Sequence, residues 1–142
     1  MKLPRLVSLL GYAGLIPFFA GPLWLSLSPA TVPHWLDHAW LVWVGMIAAF
    51  MAGTFWGFAL PAAEGPAGTM GLLFSMALML AAWTAMTLAR PAALTGLILV
   101  FLLLLLADFW RERTLGAVEG YFGLRTALTV GACLAIAWRL AL

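Results

Sequence analysis

The chain has 142 residues, of which 65% are hydrophobic and 8% charged, with a formal net charge of +2. A soluble domain carries roughly a quarter charged residues, so this chain lacks the polar surface to face water and reads as an integral membrane protein. Its lysines and arginines form no cluster dense enough to neutralise many phosphates, which excludes nucleic acid as a partner.

The N-terminal stretch "MKLPRLVSLLGYAGLIPFFAG" begins like a signal peptide, but its apolar run is too long and lacks a small-x-small cleavage site. It is expected to be an uncleaved first span over about 6–27, because a helix needs about 20 apolar residues to cross the hydrocarbon core. Gly11, Gly14 and Gly21 surround Pro17 there, which predicts a kink whose freed carbonyl needs a partner. The proline-rich loop that follows contains "PHWLDH". His34 and His38 are four residues apart beside Asp37 and could share a helical face. Metal sites use that spacing but need a third ligand, and the chain has no other histidine. The pair is a weak metal candidate and, on one loop, a poor haem pair. No metal or other cofactor is expected.

The second span, about 39–60, carries small residues at every fourth position: Gly45, Ala49, Gly53 and Gly57. Lipid tails are as apolar as leucine, so helices in a bilayer gain by close backbone approach, which small residues permit. A loop with two prolines and two glycines leads to a third span at about 69–89, and "ARPA" turns the chain into a fourth at about 92–109. That fourth span is almost pure leucine and valine and is expected to face lipid over much of its surface. The densely charged "WRERTLGAVEG" reads as the next separator. A fifth span, about 121–141, holds a second ladder: Gly123, Ala127, Gly131 and Ala135. The two ladders are expected to pack helices together, against this chain or against another protein. Cys133 is the single cysteine, so an intrachain disulfide is impossible.

The expected architecture is all-α: one membrane domain over 1–142, a compact bundle of five transmembrane helices. With the N-terminus inside, Lys2, Arg5, Arg111, Arg113 and Arg125 fall on the inner side and Arg90 and Arg139 on the outer, favouring N-in and C-out. Trp24, Trp35, Trp40, Trp43 and Trp138 then sit near the outer interface, where indoles anchor.

Near the inner interface Trp56, Asp108, Tyr121, Arg125 and Thr129 come to similar depth or continue the same face. Tyr121 and Arg125, four apart, share a helical face that Thr129 extends. Arg125 lies about one turn inside its span, where an arginine is costly unless it snorkels or pairs. Asp108 is its most membrane-proximal candidate partner. The pair either pins two helix ends or lines a polar pocket. No residues are assigned a catalytic role: the sequence offers no Ser–His–Asp constellation at a plausible depth, no phosphate-cradling loop and no cluster of intramembrane carboxylates. The mid-membrane hydroxyls Ser75, Thr84 and Thr129 are expected to bond to carbonyls a turn earlier.

"GLIPF", "FMAGTFWG", Ala82–Trp83, the aspartate closing the fourth span and "YFGLRTALT" occur in the order of an uncharacterised membrane-protein family, which the chain resembles over nearly its whole length. That family is found in many proteobacteria and has a mitochondrial transmembrane protein as its animal relative. Its Phe–x–x–Gly–x–x–Trp–Gly pattern falls on Phe50, Gly53, Trp56 and Gly57. Its Tyr–x–x–x–Arg–x–x–x–Thr pattern falls on Tyr121, Arg125 and Thr129, with Gly120 where the family commonly has tryptophan. The resemblance implies a five-helix protein of the bacterial inner (cytoplasmic) membrane and implies no reaction.

The resulting expectation is a non-enzymatic protein that acts through helix–helix interaction with another integral membrane protein, as an accessory or assembly factor of a larger, respiratory complex. The alternative is a small transporter or a protein binding lipid or a small molecule in a polar pocket on the cytoplasmic side.

Overall fold

The computed structural model describes residues 3–142, so Lys2 lies outside it. Among the described residues six α-helices follow one another: α1 (Arg5–Ala13), α2 (Leu15–Leu27), α3 (Leu36–Ala59), α4 (Pro66–Met86), α5 (Arg90–Thr114) and α6 (Tyr121–Ala141). No strand occurs among the described residues. With α1 and α2 taken as one broken span, five segments are long and apolar enough to cross a bilayer. The chain is a multi-pass membrane protein.

The break in the first span falls at Gly14, and Pro17 sits in the first turn of α2, where a missing N–H costs little. Pro22 lies deeper in the same helix and frees the carbonyl of Phe18. Trp40 fills that gap, its indole Nε1 donating to the Phe18 carbonyl at 2.8 Å. Trp43 donates likewise to the carbonyl of Gly14 at 3.2 Å. Both indoles therefore serve the broken helix, and Trp40 is buried and not an interfacial anchor.

Helices α3 and α4 pack most extensively. Both helices bury small residues, Ala48, Ala52 and Ala59 on α3 and Gly68, Gly71, Ser75, Ala82 and Ala85 on α4. A methyl group added at Gly71 would stand 2.7 Å from the Cβ of Ala59. At Gly68 it would collide with the Ala62 carbonyl, and at Gly45 with the side chain of Met86.

Only parts of the two ladders pack within the chain. Gly45 is buried and Ala49 half-buried, but Gly53 and Gly57 face outward, and a methyl group on either would meet no atom within 4 Å. On α6, Ala135 is buried and Gly131 approaches Leu15, Ala127 is half-buried, and Gly123 is exposed and free of neighbours. The reason is geometric. At 3.6 residues per turn, each four-residue step rotates about 40° around the axis, so a strict ladder turns about 120° over three steps. The buried positions of α4, which are its buried small residues together with Leu78, alternate steps of three and four and stay on one face.

Helix α5 runs on to Thr114, so "WRER" continues the helix and does not form a loop. Leu99, Leu102, Leu103 and Leu106 face outward while Leu97, Phe101 and Leu104 are core. The turn before α6 uses Gly116 and Gly120 at φ +103° and +83°, values that glycine adopts without strain.

Candidate functional site

The buried face of α5 runs through Leu97, Phe101, Leu104, Asp108 and Arg111, and its last two members are charged. Neither Asp108 nor Arg111 exposes any side-chain surface. Ions so placed lose several kcal/mol of hydration each unless partners restore it. Asp108 finds two. Arg125 Nε of α6 donates to Oδ2 at 2.6 Å, and Arg111 Nε, one turn along on α5, reaches Oδ1 at 3.4 Å.

The remaining donors of Arg125 reach outward from this pair. Nη1 donates to the Tyr121 hydroxyl at 3.3 Å and Nη2 to the backbone carbonyl of Met51 at 3.0 Å. Arg111 Nη1 donates to the Gly116 carbonyl at 3.0 Å, and its guanidinium stacks 4.2 Å from the Phe58 ring centroid. Arg111 Nη2 is buried without a partner. The site thus joins α3, α5 and α6, with Tyr121 5.1 Å from Arg111 Cζ and 5.6 Å from Arg125 Cζ.

Of the five polar-cluster residues expected from the sequence, the structure brings Asp108 and Tyr121 each against Arg125. Thr129 lies one turn further along α6, buried, its hydroxyl unpartnered where a bond to the preceding turn was expected. Trp56 does not join. It follows the buried Phe55 on α3, and that one-residue step turns it outward, 45% exposed. The sequence reading missed Arg111, treating it as a loop charge. The signal was available in the 4-3-4-3 spacing of residues 97, 101, 104, 108 and 111, which carries the core stripe through both charges.

The opposite end of the bundle holds a second group on the same three helices. Arg139 of α6 grips Asp37 of α3 with two donors, both at 2.9 Å. Arg90 of α5 adds Nη2 to Asp37 Oδ2 at 2.7 Å. These side chains are about a quarter to a third exposed, so this group is partly wet. His34 precedes the first turn of α3 and His38 lies within it, so the two do not share a helical face; both are exposed.

Beside the buried site runs an apolar cleft of about 300 Å³ between the first span, α3 and α6. Tyr121 and Arg125 lie at one end, and Leu15, Phe18, Ile47 and Leu128 line the remainder. The cleft's outer wall is α1, which buries none of its own residues. Chemically, this arrangement offers hydrogen-bond donors and positive charge at one end of an apolar cleft. Asp108 is held by two guanidinium groups.

The family description that matches, over residues 3–141, is "protein of unknown function (DUF3429)". No curated protein and no solved structure matches the chain.

Proposed function

Because the chain belongs to the DUF3429 family, a family described as of unknown function, we propose its role from geometry: a non-catalytic membrane protein that docks a transmembrane helix of another membrane protein. The observation that carries this reading is the bare Gly53-x-x-x-Gly57 stripe on the outside of α3. Small residues four apart let two helix backbones approach closely in lipid, where packing and not hydrophobic burial drives association. Inside the chain, Gly45 and Gly71 are occupied where α3 and α4 meet, and Gly68 abuts the Ala62 carbonyl. Gly53 and Gly57 are spent on a face with no internal neighbour, flanked by the outward aromatics Phe50 and Trp56, 71% and 45% exposed.

The rigid body behind that face supports the same reading. Asp37 of α3 pairs with Arg90 and Arg139 at one end, and at the other Arg125, paired with Asp108, donates to the Met51 carbonyl of α3, so α3 presents its outer face tied to α5 and α6. The cellular setting we propose is a bacterial inner membrane with the N-terminus inside, from the five-to-two distribution of lysine and arginine. The role is that of an accessory or assembly factor of a larger, respiratory complex.

The test is co-purification of the tagged protein in mild detergent from its native membrane, comparing wild type with Gly53→Leu. The reading expects one stoichiometric membrane partner that Gly53→Leu loses while its own helical signal and elution are unchanged. Recovery of the wild type alone, with no partner after crosslinking, contradicts it.

A further inference from the structure

We propose that the cleft between the first span, α3 and α6 is a binding site for one anionic phospholipid, its phosphate at the Tyr121–Arg125 end and an acyl chain along the apolar walls. The argument rests on charge, shape and access.

Charge comes first. Asp108, Arg111 and Arg125 are buried together, with side chains 0–3% exposed, and they sum to one positive charge. Among the described residues no second carboxylate lies within ion-pair distance of either arginine. Arg111 does not line the cleft and contributes its charge only. A guanidinium carries five N–H donors, and Arg125 spends three of them on Asp108, Tyr121 and Met51. The site therefore holds surplus positive charge and spare donors in a medium of low dielectric, where an uncompensated charge is costly. A phosphate supplies the missing negative charge and several acceptors. A zwitterionic headgroup, whose phosphate is cancelled by its own cation, would leave the surplus in place. Basic pockets between transmembrane helices take acidic lipid headgroups for this reason.

Shape agrees. The cleft is polar at one end and apolar along the rest, running past Leu128 and Ile47 to Phe18. From Tyr121 to Leu128 it extends for about 10 Å along α6, at 1.5 Å per residue. That is the layout of a headgroup site with a channel for a chain. Access follows from α1, which buries none of its own residues, meets α6 through Gly11 against Leu124, and hinges at the helix break at Gly14. Swinging α1 aside opens the cleft to the surrounding lipid without disturbing the α3–α4–α5 core.

The experiment is native mass spectrometry of the full chain released from nanodiscs of equal phosphatidylglycerol and phosphatidylcholine with identical acyl chains. Wild type is expected to retain one phosphatidylglycerol per chain, at least fivefold over phosphatidylcholine. Leu128→Trp fills the channel remote from the charges and should cut that retention at least fivefold. Arg111→Met removes the surplus charge without touching the cleft lining and should bring the two lipids close to parity. Should Leu128→Trp not fold, Ile47→Trp blocks the same channel from the opposite wall. Equal retention of both lipids by the wild type overturns the proposal, and so does undiminished phosphatidylglycerol binding in a folded channel-blocked variant.

Discussion

The guanidinium of Arg125 donates to the backbone carbonyl of Met51 at 3.0 Å, joining residues 74 positions apart in the chain. This bond crosses from α6 to α3, helices that make little direct contact because α2 stands between them on one side and α5 on the other. At the far end Arg139 bridges the same two helices through Asp37. The bundle is thus closed by long side chains where backbones do not meet, and the gap they span on one side is the apolar cleft.

Removing Asp108 should be far more damaging than removing Asp37. Asp108→Ala leaves two buried guanidinium groups without their carboxylate, and breaking a buried pair from one side costs about 3–5 kcal/mol. Asp37→Ala breaks a partly solvated group, worth about 1 kcal/mol or less. Thermal unfolding in detergent, followed by the helical signal, should show a large drop in midpoint for the first and a small one for the second.

The glycines separate into two classes that alanine substitution can tell apart. Gly53→Ala and Gly57→Ala meet open space and should stabilise the isolated chain by up to about 1 kcal/mol, the difference in helix propensity. Gly68→Ala drives a methyl group into the Ala62 carbonyl and should destabilise by about 1–3 kcal/mol. The same unfolding measurement checks both, and equal effects at Gly53 and Gly68 would contradict the open surroundings of the one and the occupied surroundings of the other.

Trp40→Phe keeps most of the ring volume but strands the Phe18 carbonyl beside Pro22. An unsatisfied buried acceptor costs about 1–3 kcal/mol. Trp56→Phe, on an outward face exposed to the surroundings, should change stability by less than about 0.5 kcal/mol. Comparing unfolding midpoints of the two variants isolates the carbonyl's contribution from that of indole size.

How much of this could be read from the sequence depended on the period of each pattern. Five apolar stretches of sufficient length identified the membrane-crossing helices, because hydropathy over about 20 residues is insensitive to which face is buried. Arg125 and Asp108 could be paired on paper since each lay where a lone charge is costly. Arg111 was hidden by its neighbours. Glu112 and Arg113 made the segment look like a solvated loop, although only one charge in that run turns inward. The ladders misled in the opposite sense: spacing of four looks like a face, but rotation carries Gly57 away from the side where Gly45 packs. The packing stripe of α4, at residues 68, 71, 75, 82 and 85, was overlooked because leucines and methionines separate its small members.

Photocrosslinking from the face itself tests the central claim, that the outer side of α3 receives another protein's helix. A photoreactive residue would replace Phe50 or Trp56, flanking the glycines, and in a control Leu106, equally outward on α5. The account predicts one discrete adduct with a different membrane protein from positions 50 and 56, abolished by Gly57→Leu and absent from position 106. The same diffuse lipid labelling from all three positions, or an adduct only with a second copy of this chain, would contradict it.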